Sequence, residues 1–254
     1  MNIRCATING VHTIEIARPE KKNALTVEMY QAMADAINAA GEDPAVRALL
    51  ITGQPGIFTS GNDLQDFLNR PRPNIDASPV FRFIHAMVMC DKPVVAAVTG
   101  AAIGIGTTML LHCDFVYVSD EARLSMPFAS LGLVPEFASS VLVQRLMGGR
   151  RAAEKLLLGD PFTAETAVEC GIANAVLPAN EVLPHARRIA ERFNALPPDA
   201  VRESKRLMRE PDRAAIIEAV KREGEIFSAR LASAEAREAM QAVLEKRKPD
   251  FSKF

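Results

Sequence analysis

Thr99-Gly100-Ala101-Ala102-Ile103-Gly104-Ile105-Gly106 is the stretch on which the reading of this 254-residue chain turns. The apolar run Pro93-Val94-Val95-Ala96-Ala97-Val98 leads into it, and Thr107 to Leu111 leads out. This order predicts a buried strand, a tight glycine turn and then a helix. The first turn of such a helix has N–H groups with no internal acceptor, and they can serve an oxyanion or a phosphate. Alternatively, the glycines only let strand and helix pack closely.

Outward from this stretch, strand and helix signals alternate. Ile3 to Ile8 and Val11 to Ile16 flank Asn9-Gly10, a strong hairpin signal. Arg18-Pro19-Glu20-Lys21-Lys22-Asn23 is a polar loop. Thr26 caps a predicted helix to about Ala40, which Gly41 to Pro44 breaks. Val46 to Thr52 reads as a buried strand. The glycine-rich segment from Gly53 to Gly61 follows, and a short helix begins at Asp63. Residues 70–79, with Pro71, Pro73 and Pro79, read as a surface loop placed to act as a lid. A helix is expected from Val80 to Cys90, and strands at 114–119 and 123–126. Residues 127–138 form a loop, and helices follow at 139–147, 150–158 and 164–170, with a last strand at 173–177. From Glu181 the pattern is helical, over 181–195, 199–209, 212–231 and 234–247, with breaks near Pro197-Pro198 and at Pro211. The result is an α/β core over 1–195 and a helical region over 196–254. The stripe Ile216, Val220, Phe227 and Leu231 needs cover from the core and from a neighbouring subunit.

Composition narrows the partners. A net charge of −1 with no basic cluster excludes nucleic acid and a membrane surface, so an acidic ligand has to be gripped locally. No apolar run is long enough to span a bilayer, and no secretory h-region opens the chain. The four cysteines lack a Cys-x-x-Cys spacing and read as reduced core thiols, giving an expected cytoplasmic location. The four histidines have no metal-ligand spacing, and no metal is expected. Ser252-Lys253-Phe254 differs from the peroxisomal address Ser-Lys-Leu at its last residue and is taken as chance. After Gly61 come Asn62 and Asp63, which rules out a Walker A loop.

The pattern at 99–106 resembles the cofactor turn of short-chain dehydrogenases. That family also requires a Tyr-x-x-x-Lys pair. Here Tyr30 is followed at that spacing by Ala34, and Tyr117 by Glu121. The turn also lies deep in the chain rather than after the first strand. A second resemblance covers nearly the whole chain. Arg18-Pro19 with Asn23-Ala24-Leu25, then Phe58-Thr59-Ser60-Gly61-Asn62-Asp63-Leu64, then 99–106 with His112-Cys113-Asp114, then Pro127 to Leu133 and Gly159 to Gly171 together resemble the crotonase superfamily, the enoyl-CoA hydratases and isomerases.

The resemblance implies a spiral of ββα turns with a C-terminal helical trimerisation region, assembled as a homotrimer or dimer of trimers. It implies an acyl-CoA thioester substrate, with coenzyme A part of the substrate and no separate cofactor. The N–H groups of Asn62 and Ile105 would hold the thioester oxygen, with Gly61, Gly104 and Gly106 allowing close approach. Lys21, Lys22 and Ala24 would contact CoA. Ser60, Asp63 and Leu64 would line the thioester arm, and Lys246, Arg247 and Lys248 could reach a neighbour's CoA phosphates. Hydratases of the family carry two glutamates where this chain has Thr108 and Phe128, so ordinary hydration is not expected. Glu136, flanked by Val134, Pro135 and Phe137, matches the glutamate of the peroxisomal type of Δ3,Δ2-enoyl-CoA isomerase. Burial would raise its pKa into the range of a base working near neutrality. The expected reaction is isomerisation of a 3-enoyl-CoA, with Phe128 keeping water out. The alternatives are another crotonase reaction on an acyl-CoA, or a protein that binds acyl-CoA without catalysis.

Overall fold

The Asn9-Gly10 turn forms as expected: both residues have positive φ, 49° and 72°, and β1 (Ile3–Ile8) pairs antiparallel with β2 (Val11–Ile16). The structure is a computed structural model that describes residues 2–69 and 78–254. Of the lid expected at 70–79, residues 70–77 lie outside the described residues.

After the hairpin comes α1 (Val27–Glu42), whose N-cap Thr26 accepts a hydrogen bond from the Met29 N–H. The helix runs through Gly41 rather than breaking there, because that position is surrounded by open space. The chain then builds β3 (Ala48–Thr52), β4 (Ile57–Thr59), α2 (Leu64–Asn69), α3 (Pro79–Met89), β5 (Val94–Val98) and β6 (Ala101–Ile103). It continues through α4 (Ile105–Thr108), β7 (Phe115–Ser119) and β8 (Arg123–Ser125). Next come α5 (Ser139–Met147), α6 (Gly149–Ala153), β9 (Phe162–Thr163), α7 (Ala164–Glu169) and β10 (Ala175–Leu177). The last helices are α8 (Ala179–Glu191), α9 (Pro198–Leu231) and α10 (Ala234–Leu244).

Two sheets take these strands in turn. One has the order β1-β2-β3-β5-β7-β10 and the other β4-β6-β8-β9. Strands β3, β5 and β7 lie in the large sheet, and each is followed directly by its partner β4, β6 or β8 in the small one. The links β3–β5, β5–β7, β4–β6 and β6–β8 are all parallel. This is the spiral of ββα turns implied by the resemblance. Both faces of β3 and β5 are buried, which is why they read as continuous apolar runs rather than alternating ones. One face packs Leu50, Val95 and Ala97 against Val182, Ala186 and Ala190 of α8. The other packs Leu49, Ile51, Val94 and Ala96 with α1 and α3 residues such as Met33, Ile37 and Phe83.

The structure corrects several expectations. The 99–106 stretch is not one turn between strand and helix: β6 forms inside it, in the second sheet. Strands β4 and β9, three and two residues long, were not foreseen, because no period can show in so short a run. The helix expected at 150–158 is α6 continued by a π-helical turn, Glu154–Leu158. Pro211 does not end a helix, since α9 is continuous for 34 residues. Leu207 and Pro211 both lie on its exposed side, so water can hydrate the carbonyl that Pro211 leaves without a donor.

The Arg18-Pro19…Asn23-Ala24-Leu25 segment clamps the end of β4. Buried Asn23 donates through Nδ2 to the carbonyls of Ile57 and Phe58, both at 3.1 Å, and accepts through Oδ1 from the Arg18 N–H at 2.8 Å. Thr59 Oγ1 donates to the Asn23 carbonyl at 2.7 Å. Arg18 Nη1 donates to Asp63 Oδ2 at 2.7 Å and to the Ala24 carbonyl at 2.9 Å. Replacing Asn23 with alanine strands two buried carbonyls and puts a Cβ residue without a side-chain oxygen at φ 53°. An Asn23→Ala variant is expected to lose about 2–3 kcal/mol of stability in urea unfolding.

Candidate active site

Strands β4 and β6 run parallel, with Ile57 opposite Ala101 and Thr59 opposite Ala102. The backbones that leave them stay in contact. A Cβ on Gly61, at φ +88°, would lie 2.9 Å from the Ile103 carbonyl oxygen, and a Cβ on Gly106 would lie 2.5 Å from Thr59 Cγ2. Only glycine fits at either place. Asn62 and Ile105 therefore sit side by side, each just past the end of a parallel strand.

Their N–H groups face away from internal acceptors. Leu25 N–H donates to the Gly61 carbonyl and Asp63 N–H to the Leu25 carbonyl, in a parallel bridge that pairs Leu25 with Asn62. In that pattern the residue between the two bonds turns its own N–H the other way. Ile105 opens α4, where the first N–H groups lack an intrahelical partner. Gly104, just before it, spends its N–H on the Ser125 carbonyl and its own carbonyl on Thr107 and Thr108.

A cleft of about 670 Å³ opens over these residues. Lys21, Lys22 and Ala24 line it, as do Ser60, Gly61, Asn62, Asp63 and Leu64 from the β4 loop and Gly104 and Ile105 from the β6 loop. Phe128, Leu131 and Leu133 make an apolar wall, completed by Phe227 of α9 and Met240, Val243 and Leu244 of α10. Partial burial works the other way, but the Arg18 guanidinium and the N–H groups of Asp66 and Gln65 hold the Asp63 carboxyl below its usual range.

Not every residue named from the sequence lines this cleft. Gly106 is not on the cleft; it is buried beneath it against Thr59. Of the basic trio, only Lys246 lines the cleft. The Arg247 guanidinium is committed to Glu238, through Nη1 at 2.5 Å and Nη2 at 3.0 Å, and to Glu245 through Nε at 2.6 Å. Lys248 is exposed and does not line the cleft.

Glu136 is not a lining residue either: it is 8% exposed and sits behind the cleft. Its Oε1 accepts a hydrogen bond of 2.5 Å from Thr108 Oγ1. Thr108 lies on α4, one helical turn after Ile105, so the carboxyl is tied to the helix that presents the Ile105 N–H. Burial, helped by the nearby charge of Glu223, raises the Glu136 pKa to about 8, against the Thr108 hydrogen bond, which acts to lower it.

Sequence reasoning missed four contributors. Thr108, read only as a missing glutamate, is the donor to Glu136. Tyr30 on α1 is fully buried, donates its hydroxyl to Asn62 Oδ1 and packs its ring on Phe83 at 5.5 Å. Burial, with the charge of Glu136, pushes its pKa well up. Phe83 in turn meets the edge of Phe137 at 5.9 Å. Glu223 is the fourth, and a signal for it was present: it falls on the apolar stripe Ile216, Val220, Phe227 at helical spacing, where a solvated glutamate has no place. His112, buried and pushed down to about 3 by that burial, is neutral and contributes packing and a hydrogen bond to the Phe137 carbonyl rather than charge. Among the described residues no cluster of His, Cys, Asp or Glu could hold a metal, and no helix is long and apolar enough to cross a membrane.

Comparison with known proteins gives the family of this chain. The sequence pattern of the enoyl-CoA hydratase/isomerase family matches residues 6–253. The human enoyl-CoA delta isomerase 2 is 34% identical over 211 residues, or 81% of this chain, and the chain spans about half (53%) of that protein's length. The crotonyl-CoA hydratase of Syntrophomonas wolfei is also 34% identical, over 93% of this chain and 92% of its own. Among solved structures, Pseudomonas aeruginosa OdaA superposes with a TM-score of 0.93 at 51% identity, covering 96% of this chain and 98% of that one. An enoyl-CoA hydratase/isomerase from Pseudoalteromonas atlantica also superposes at 0.93, with 41% identity over 99% and 100% of the two chains.

The buried carboxyl has a consequence for stability. Between the ordinary value of 4.5 and about 8, the folded protein keeps a proton on Glu136 that the unfolded chain releases. Unfolding is therefore favoured more as pH rises through that window. A Glu136→Gln variant lacks this dependence. Wild type is expected to lose about 2–4 kcal/mol relative to the variant between pH 4.5 and 9, as read by urea unfolding across that range.

Proposed function

Because the chain belongs to the enoyl-CoA hydratase/isomerase family, we propose that it shifts the double bond of a 3-enoyl-CoA into conjugation, giving the 2-trans-enoyl-CoA. The observation that carries this reading is a buried carboxyl, Glu136, tied through Thr108 to the helix that presents the Ile105 N–H. Thr108 and Phe128 stand where the family's hydratases carry glutamates, and Thr108 is occupied as the donor to Glu136.

In this reading the thioester oxygen lies between the Asn62 and Ile105 N–H groups. Ionised Glu136 takes a proton from C2, and the electron pair moves into a dienolate whose negative oxygen the two N–H groups stabilise. Glu136 returns the proton to C4, so the double bond moves from C3–C4 to C2–C3 with no net change in atoms. Each backbone donor of this kind contributes on the order of 10²–10³ in rate. The apolar wall of Phe128, Leu131 and Leu133 excludes the water that hydration would need. Lys21, Lys22 and Lys246 supply the positive charge for CoA phosphates. Assembly as a homotrimer or dimer of trimers belongs to the same reading. The exposure of Leu157 and Leu158 in one copy supports it.

Hydration is the second reading, favoured by the near full-length match to a crotonyl-CoA hydratase. The two readings separate on substrate. Supplied with 3-enoyl-CoA, the protein is expected to produce the ultraviolet absorbance of a conjugated thioester; supplied with 2-trans-enoyl-CoA, it is expected to leave that absorbance unchanged. Glu136→Gln should reduce isomerisation by about 10²–10⁴ while still binding acyl-CoA. Full activity in that variant would remove Glu136 from the mechanism. Acyl-CoA binding without turnover in wild type would leave a binding protein. Since the carboxyl titrates near 8 before substrate binds, kcat/KM is expected to rise with pH and level off above that value.

A further inference from the structure

Glu136 is followed by two consecutive non-glycine residues in the left-handed region, Phe137 at φ 61° and Ala138 at φ 58°. Residues with a Cβ avoid that region, so neighbouring contacts must hold the turn in place. One contact is the His112 ring, which stacks on Phe137 at 4.1 Å and whose Nε2–H donates to the Phe137 carbonyl at 2.8 Å. The other comes from the far end of the sequence. Glu223 on α9 is 7% exposed. Its Oε2 accepts from the Ala138 N–H at 2.6 Å, and its Oε1 accepts from the Ser140 N–H at 3.0 Å and from Ser140 Oγ. Ala138 is the N-cap of α5 and has no side chain to cap with, so Glu223 caps that helix from outside.

We propose that Glu223 is a positioning residue for the base: its carboxylate reaches from α9 to pin the Phe137-Ala138 turn, which fixes where the Glu136 carboxyl lies, and its negative charge faces that carboxyl. The charged and titratable groups around Glu136 are Glu223 from α9 and Tyr30 from α1, with Thr108 donating from α4. Burial raises the Glu223 pKa above the usual carboxylate range, against the three donors that converge on it and the charge of Arg222, which act to lower it. When Glu223 is ionised, its charge helps keep the proton on Glu136, which strengthens Glu136 as a base once that proton is lost.

This role rests on the proposal that Glu136 is the base, and the test separates the two. Glu223→Gln keeps the size of the side chain, turns one acceptor into a donor that faces an N–H, and removes the charge. It is expected to lower kcat about tenfold or more, with KM within about twofold of wild type. It should also move the midpoint of the kcat/KM–pH profile downward from near 8, and a carboxyl-carbon NMR titration of Glu136 should move the same way. A folded Glu223→Gln variant with wild-type kcat and an unmoved midpoint overturns the positioning role. So does a loss of activity that only tracks the loss of folded protein. If that variant does not fold, Ser140→Ala removes a single donor to Glu223. A fall in kcat at constant KM then supports the role, and an unchanged kcat overturns it. If Glu136→Gln is itself fully active, it is the assignment of the base that fails. If Glu136→Gln is inactive while Glu223→Gln matches wild type, only the positioning role fails.

Discussion

The close approach of two backbone segments is the constraint on which the rest of this structure depends. Strands β4 and β6 bring the loops 59–62 and 103–106 to a separation that leaves no room for a Cβ at Gly61 or Gly106. Everything around the cleft serves to hold that separation. Arg18, Asn23 and Thr59 tie the N-terminal segment to the first loop. Thr107 Oγ1, donating to the Ala102 carbonyl, and the Gly104 N–H, donating to the Ser125 carbonyl, tie the second loop to β6 and β8. The alternation of strands between two sheets follows from this need. A chain that stayed in one sheet would present only one such loop at a given place.

The carboxyl behind the cleft is governed by the opposite principle. Glu136 is kept out of water, given one hydroxyl donor and set near a second carboxylate, all of which bears on whether it is charged. The N–H pair favours negative charge at one point, and Glu136, in contrast, sits where negative charge is disfavoured. The contrast limits stability, because the fold has to bury a group that ionises at ordinary pH.

Much of this was legible in the sequence, for reasons of length and period. The hairpin, α1, β3, β5 and α5 carry turn residues, caps or long apolar runs, and they appear close to where the pattern puts them. Strands β4, β6 and β9 are too short to have a period, and they form because the neighbouring strands offer an edge. In the site, the glycine loops could be read from the residues, whereas Glu136 stood out only through the family resemblance. Tyr30 could not be read, since a tyrosine on an apolar helix face is ordinary core until its hydroxyl is seen to reach Asn62. Thr108 was misread because it was compared with a missing glutamate rather than with what a hydroxyl could reach. Pro211 misled in the other direction, because a proline on a wet helix face need not end the helix.

The cleft draws its walls from both ends of the chain. Lys21, Asn62, Ile105 and Phe128 come from well before α9, while Phe227, Met240 and Leu244 come from α9 and α10. During synthesis the early part emerges first, with Phe128, Leu131 and Leu133 in place and no apolar partner yet available. Until α9 and α10 leave the ribosome, that surface is exposed, and a nascent chain in this state is open to association with other chains. The contacts that shape the ligand site therefore also set the order of assembly: α9 and α10, made after the rest of the cleft, are the elements that close it.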